Sequence, residues 1–347
     1  MVQSIGKKQQ KKNILILFCM GIFLLVAVMF SLRAGSYNTP VVELVKGIFG
    51  KSADKKINAV SILRMRRIIT AAVSGVGLGI TGCVLQAILQ NPLASSSTLG
   101  ISQGASFGAA FAIIGLGAGT GSGLLSGFSG MTTIASCSFI SSMLVSVVIL
   151  GLSRFRKISP ETMVLVGVAL SSMFTGATTL LQYFADEVEL ATFTFWTFGD
   201  LGNTNWQEIR LICIVVFAAL IFFLLRRWDY NALYAGEQTA VSLGVNVKVT
   251  RILNLLICSF VAAIIVSHVG LISFIGLVAP HITRRLVGEN YCYLIPGSAL
   301  LGGTLLLYGD LVARVVVSPV ILPIGAITSF LGAPLFLYLL FKGRKDE

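Results

Sequence analysis

Acidic residues are scarce in this chain: 14 Asp and Glu stand against 26 Lys and Arg in 347 residues, and charges of both signs make up only 12%. So little charge, beside 55% hydrophobic residues and a mean hydropathy of +0.89, excludes an ordinary soluble globular protein. Histidine is scarcer still, with two residues, His268 and His281. Neither has Cys, Asp or Glu at ligand spacing, so the sequence carries no metal-site pattern. The six cysteines form no CxxC pair, and Cys19, Cys83, Cys137, Cys213 and Cys258 lie inside apolar runs as small packing residues.

A nucleotide-binding motif is missing too. Gly50-Lys51-Ser52 ends like a phosphate loop, but Val45 stands where that loop requires glycine. Gly77-Leu78-Gly79-Ile80-Thr81-Gly82 satisfies GxGxxG inside an apolar run, with no preceding strand and no ribose-binding acid. Its glycines suit close helix approach instead. Gly75 with Gly79, and Gly100 with Gly104 and Gly108, repeat the small-xxx-small spacing that lets membrane helices meet backbone to backbone.

What the chain has in abundance is long apolar runs, enough to cross a hydrocarbon core of roughly 30 Å about ten times. Charged and turn-rich breaks divide it into spans 13–33, 61–90, 94–117, 123–153, 160–184, 207–228, 247–269, 272–286, 294–315 and 320–342. The span 272–286 is short and holds Pro280, which predicts a partial or broken helix. The fold class is therefore an all-α polytopic membrane protein. Residues 1–12 are a basic N-terminus, 13–342 a single transmembrane domain and 343–347 a tail. The first run follows Lys7, Lys8, Lys11 and Lys12 as a signal peptide would, but is long for one and adjoins further spans; it reads as a retained helix.

Basic residues sit mainly between the spans, where they orient helices, and this leaves no case for nucleic acid. With Lys7–Lys12 cytoplasmic, sixteen of the 26 fall on the inner side and both termini are cytoplasmic. Most of the others crowd into one outer stretch, Arg33 to Arg67, which includes Arg64-Met65-Arg66-Arg67. Arg314 emerges on the same side. Such arginines either bind lipid phosphates or form a docking surface, because guanidinium forks pair with carboxylates through two parallel hydrogen bonds. Asp310 is the one deep acidic residue, and Arg314 at i+4 can neutralise it as a structural ion pair.

The stretch Gln86 to Gly108 is the most distinctive. Asn91-Pro92 ends one helix, a serine run follows, and a Gly-rich polar helix comes next. Irregular backbone at membrane depth is tolerated only inside protein or along a cavity. Gln86, Asn91, Pro92, Gly100 and Gly104 are thus candidates for a translocation pathway or for helix packing.

The chain resembles the permease subunits of ABC importers for ferric siderophores and cobalamin, the FecCD/BtuC type, from about Arg64 to its C-terminus. The resemblance is carried by Arg64-Met65-Arg66-Arg67, Asn91-Pro92-Leu93-Ala94, Phe195-Trp196-Thr197-Phe198-Gly199, Leu243-Gly244-Val245, Gly270 through His281, Asp310-Leu311-Val312-Ala313-Arg314, and Leu322-Pro323-Ile324-Gly325 through Pro334. It implies a ten-helix subunit of a bacterial cytoplasmic membrane. Its partners would be a second permease (the same chain or a similar one), two ATP-binding subunits, and an extracellular lipoprotein or periplasmic substrate-binding protein. ATP and Mg would reside on the partner ATPase, with no cofactor on this chain, which would be a transport subunit and not an enzyme.

The resemblance also implies roles. Arg64, Arg67 and Arg314 would meet acidic residues of the binding protein, although Arg66 stands where the family usually has proline. Gly236, Glu237, Ala240, Leu243, Gly244 and Val245 would belong to the segment that couples to the ATPase, a short helix ended by Gly244. Pro280, His281 and Arg284 would face the ATPase on the cytoplasmic side. Cobalamin or haem would be the alternative cargo. An ion-coupled secondary transporter would place ionisable groups at the midplane, where only Asp310 qualifies. A membrane enzyme would need a base beside Ser95, Ser96 or Ser97, and none is recognisable.

Overall fold

The structure is a computed structural model that describes residues 2–34, 41–48, 50, 54–119, 130–155 and 159–343. Lys51 and Ser52 of the phosphate-loop look-alike, Arg156 and Lys157, the start of the span 123–153 and the tail beyond 343 lie outside the described residues. Fourteen α-helices occur among the described residues, and no strand: α1 (Val2–Arg33), α2 (Val41–Ile48), α3 (Lys55–Ile88), α4 (Ile101–Ala110), α5 (Gly130–Phe155), α6 (Pro160–Phe184), α7 (Glu187–Phe198), α8 (Trp206–Leu225), α9 (Arg227–Tyr234), α10 (Glu237–Ser242), α11 (Val247–Val269), α12 (Ile275–Val287), α13 (Tyr291–Val315) and α14 (Ile324–Gly343). A π-helical turn, Phe111–Gly115, continues α4.

Seven described helices are long and apolar enough to cross a membrane, and Ile101–Gly115 and Ile324–Tyr338 are shorter apolar helices. With α12 these account for the ten expected spans. The expected limits 160–184 and 247–269 coincide with α6 and α11. The expected span 94–117 does not begin as a helix: residues 91–100 form turns and α4 starts at Ile101. Local chemistry explains the delay. The Asn91 carboxamide accepts from Leu93 N at 2.8 Å, Pro92 has no N–H to give, and the Ser95 N–H donates to Thr98 Oγ1 at 2.8 Å. Leu99 N and Ile101 N then bond Ser95 O and Ser96 O, so these turns satisfy backbone groups where residues 94–96 and 99–101 are buried.

Helix starts follow the sequence. Ser159 caps α6 with Pro160 behind it; Asp186 and Glu189 form a reciprocal capping box on α7. Asn205 accepts from Glu208 N while the Glu208 side chain accepts from Asn205 N at 2.8 Å, opening α8 in the same way. Asn246 and Asn290 cap α11 and α13.

Two compact units are recognisable. The first comprises residues 1–83, 200–224 and 274–347. Within it α13 is the hub, with α1, α12 and α14 against it. Close approach to α3 depends on glycine: an added Cβ at Gly75 or Gly79 would overlap the Gly302 or Ser298 carbonyl oxygen of α13, and one at Gly82 the Gly276 carbonyl oxygen of α12. The second unit comprises residues 84–199 and 225–273, with α4 held between α5 and α6 and α11 packed against α5 and α4. Here Ser138 Oγ donates to Ala105 O at 2.9 Å and Ser142 Oγ to Ile101 O at 3.0 Å, fastening α5 to α4.

Candidate functional site

In the first unit the three arginines singled out by sequence come together at one end of the helices. Both α1 and α13 deliver their C-terminal ends there. The last four carbonyls of a helix have no partner within it, and cations near them also complement the helix dipole. Arg64 Nη1 donates to Leu32 O at 2.8 Å and Arg314 Nη1 to Ala34 O at 2.8 Å and Ser31 O at 3.2 Å. Arg314 Nη2 also donates to the Ser31 hydroxyl. The α1 terminus is therefore closed by two guanidinium groups from α3 and α13.

The centre of this cluster is Asp310, whose side chain is fully buried. Its Oδ2 accepts from Arg314 Nε at 2.9 Å, the i,i+4 pair expected from the sequence, and its Oδ1 accepts from Arg67 Nε at 2.6 Å. Arg67 Nη1 also lies 3.7 Å from Asp200 Oδ1, a carboxylate 56% exposed. Gly202 makes room for this arginine, because a Cβ there would stand 2.9 Å from Arg67 Nη1. One turn along α3, Thr70 Oγ1 and Thr204 Oγ1 share a buried hydrogen bond of 2.7 Å. Arg64, Arg67 and Arg314 thus spend much of their donor capacity inside the chain, and two carboxylates stand beside three guanidinium groups.

At the other end of α13, α1 and α12 meet through Asn13 Nδ2, which donates to Val287 O at 2.9 Å. Arg284 Nε pairs with Glu289 Oε2 at 2.7 Å across the C-terminus of α12. Pro280 is buried, and the His281 ring lies edge-on to Phe336 with centroids 6.0 Å apart. Among the described residues, neither His281 ring nitrogen has a hydrogen-bond partner.

In the second unit the candidate coupling residues form α10 and its ends. Gly236 precedes it at φ 112°, Glu237 opens it and Ala240 is fully buried beneath it. Its exit is a Schellman motif: Gly244, at φ 85°, donates to Val241 O at 2.9 Å, and Val245 N reaches Ala240 O at 3.0 Å. Val241 and Leu243 are 63% and 69% exposed, so the helix presents apolar side chains outward. Arg251 of α11 pairs with Glu237, and its Nε donates to Ile88 O at 2.9 Å. Gln90, at φ 46°, sends its amide to Leu233 O at 3.1 Å.

The remaining sequence candidates lie in this unit. Gln86 is buried in the last turn of α3, Asn91 and Pro92 form the turn after it, and Gly100 turns the chain into α4 at φ 83°. Gly104 of α4 faces α5, where a Cβ would be 2.9 Å from Ser141 O, and Gly100 faces α6, where one would be 3.0 Å from Gly167 O; both are close backbone contacts. Sequence reading missed Asp200, the Thr70–Thr204 pair and Arg251. The first two had no local signal, and Arg251 was counted only as an orienting charge.

Residues 22–342 match the FecCD transport family. A protein of Methanocaldococcus jannaschii named as an ABC transporter permease is 45% identical over 98% of this chain and 97% of its own. A hemin transport system permease of Yersinia pestis is 33% identical over 82% of this chain and 84% of its own. A solved structure described as a metal-chelate type ABC transporter in an inward-facing conformation is 30% identical, with a TM-score of 0.81 over 94% of this chain and 99% of that one.

Proposed function

The chain belongs to the FecCD transport family, and on that footing we propose that it carries a ferric siderophore across the cytoplasmic membrane, with ATP hydrolysed on a separate subunit. The observation that carries the importer reading is α10. A six-residue helix closed by its own C-terminal cap, with Val241 and Leu243 outward, is a surface shaped for a soluble partner, here the ATPase. Such a helix transmits closure of the ATPases as a rigid-body movement, so that two permease subunits rock to open the path between them. Both termini face the cytoplasm in this reading.

An iron chelate is favoured as cargo because the hemin permease is 33% identical to this chain and the metal-chelate transporter is 30% identical and shares its fold. The test is uptake by proteoliposomes holding the permease, its ATPase and its binding protein. A labelled ferric hydroxamate siderophore is expected to enter only with ATP and the ATPase present. Entry of vitamin B12 or hemin alone would move the cargo to those classes. Uptake that follows a proton gradient without the ATPase would overturn the importer reading. In this reading Asp310, held between two guanidinium groups, is a structural ion pair.

We place binding-protein docking at the Arg64, Arg67 and Arg314 end of the first unit. Support comes from the positive charge of that end, where three guanidinium groups, each 8–12% exposed, stand beside two carboxylates among the described residues and act on acidic groups of a soluble partner through the field they create. Reversing the charge of Arg67 or Arg314 would also disrupt Asp310, so the cleaner variant is Arg64→Gln. It removes the charge and leaves both Asp310 ion pairs in place, while giving up the hydrogen bond to Leu32 O. Capture of the binding protein by detergent-purified permease is expected to weaken by about tenfold, the equivalent of roughly 1.4 kcal/mol. Undiminished capture of a monodisperse variant would remove the docking role from Arg64.

A further inference from the structure

We infer that Arg251 is the strut through which movement of α10 reaches the end of α3 and the polar turns that follow it. This rests on the reading of α10 as the ATPase contact and adds a residue to it.

The guanidinium of Arg251 serves two elements at once. One nitrogen, Nη2, pairs with Glu237 in the first turn of α10, and Nε donates to Ile88 O, a carbonyl in the last turn of α3 that its own helix leaves unpaired. The Arg251 side chain is 12% exposed and its contact with Ile88 O is half-buried, whereas Glu237, 44% exposed, meets it at the surface. A second link runs in parallel. Gln90 adopts the left-handed conformation that non-glycine residues seldom hold, and thereby turns its amide onto Leu233 O near the end of α9. Below these links α9 is anchored on α11, where Tyr230 Oη donates to Asn254 Oδ1 at 2.6 Å.

The helical module α9–α10 is therefore fixed to the C-terminus of α3 at two points, and the chain leaves α3 there directly into residues 91–100 and α4. A displacement of α10 is delivered to that end without passing through a flexible segment. Arginine suits the task because its planar fork offers donors on separate, spaced nitrogens to two acceptors, whereas lysine concentrates its three donors on one nitrogen. Arg251 is a positioning residue: it touches no cargo and acts through the helices it joins.

The test uses the complete transporter in proteoliposomes and reads cargo imported per ATP hydrolysed, with whichever of a ferric hydroxamate, hemin or vitamin B12 the wild type imports. Arg251→Ala is expected to keep hydrolysing ATP while that ratio falls by about tenfold. Arg251→Lys should recover part of it, and Glu237→Gln, which leaves the Ile88 contact in place, should lose less than Arg251→Ala. A wild-type ratio in Arg251→Ala, or uptake and hydrolysis falling in parallel, would overturn the inference. Where Arg251→Ala fails to assemble, unchanged ratios in both Arg251→Lys and Glu237→Gln would do so. The underlying reading is checked separately by cross-linking Val241→Cys to the ATPase. Absence of that cross-link would remove α10 as the contact, while a cross-link with an unchanged ratio would remove only the strut.

Discussion

Asp310→Asn is expected to be among the most destabilising single substitutions in this chain, lowering its stability by about 3–5 kcal/mol. The wild-type carboxylate has no exposed surface and accepts from Arg67 Nε and Arg314 Nε at 2.6 and 2.9 Å. A neutral carboxamide of the same size leaves two guanidinium groups in a buried site with, among the described residues, Asp200 as the other paired carboxylate, and Asp200 is largely solvated. The damage also spreads along the chain, because Arg314 holds Ser31 O and Ala34 O at the end of α1. Loss of its counter-ion loosens α1 from α13. Asp200→Asn is the matched control: an exposed carboxylate 3.7 Å from its partner should contribute under about 1 kcal/mol. Thermal unfolding in detergent, followed by the loss of the monodisperse species, distinguishes the two. In the double variant Asp310→Asn with Arg314→Met, removal of one stranded cation should recover part of the loss, so the two effects will not add. A single variant Asp310→Asn as stable as Asp200→Asn would show that the carboxylate is not the keystone of this cluster.

This cluster also marks where the sequence stops being legible. Asp310 and Arg314 share a helix face at i,i+4, and their pairing could be read directly. Arg67 reaches the same carboxylate across 243 positions, and no periodicity encodes such a partner. Helix limits were legible where a cap chemistry coincides with the edge of an apolar run, as at Ser159-Pro160 for α6 and Asn246 for α11. They were not legible at residues 94–100, which are small and uncharged enough to extend a helix but whose Ser95 and Thr98 hydroxyls capture the backbone instead. The short helix ending at Gly244 was visible because its stop signal is local, and the hold of Arg251 on Ile88 O was not, because a carbonyl oxygen has no sequence signature. Charge asymmetry told that arginines gather on one side; it could not tell that they would bind the end of α1.

Gly82→Ala carries the second large expectation. A single methyl group at Gly82 would overlap the Gly276 carbonyl oxygen, with the Gly276 Cα at 2.7 Å, so the obstacle is backbone and no rotamer can relieve it. The helices α3 and α12 would have to part, yet α12 is only 13 residues long and is pressed against α13 and α14 on its other sides. Overpacking of a tight core ordinarily costs about 1–3 kcal/mol, and a clash confined to two backbones belongs at or above the top of that range. Gly21→Ala on α1 is the opposite case: nothing lies within 4 Å of the added methyl, and alanine is the better helix former by about 1 kcal/mol. It should leave stability unchanged or raise it slightly. The comparison separates packing from propensity, since both changes add the same group to a helical glycine. Equal unfolding temperatures for the two variants in detergent would mean that α3 and α12 do not meet through Gly82. A selective loss in Gly82→Ala would show that the GxGxxG run serves as a helix contact, its smallness setting how near α12, with His281 and Arg284, can lie to α3.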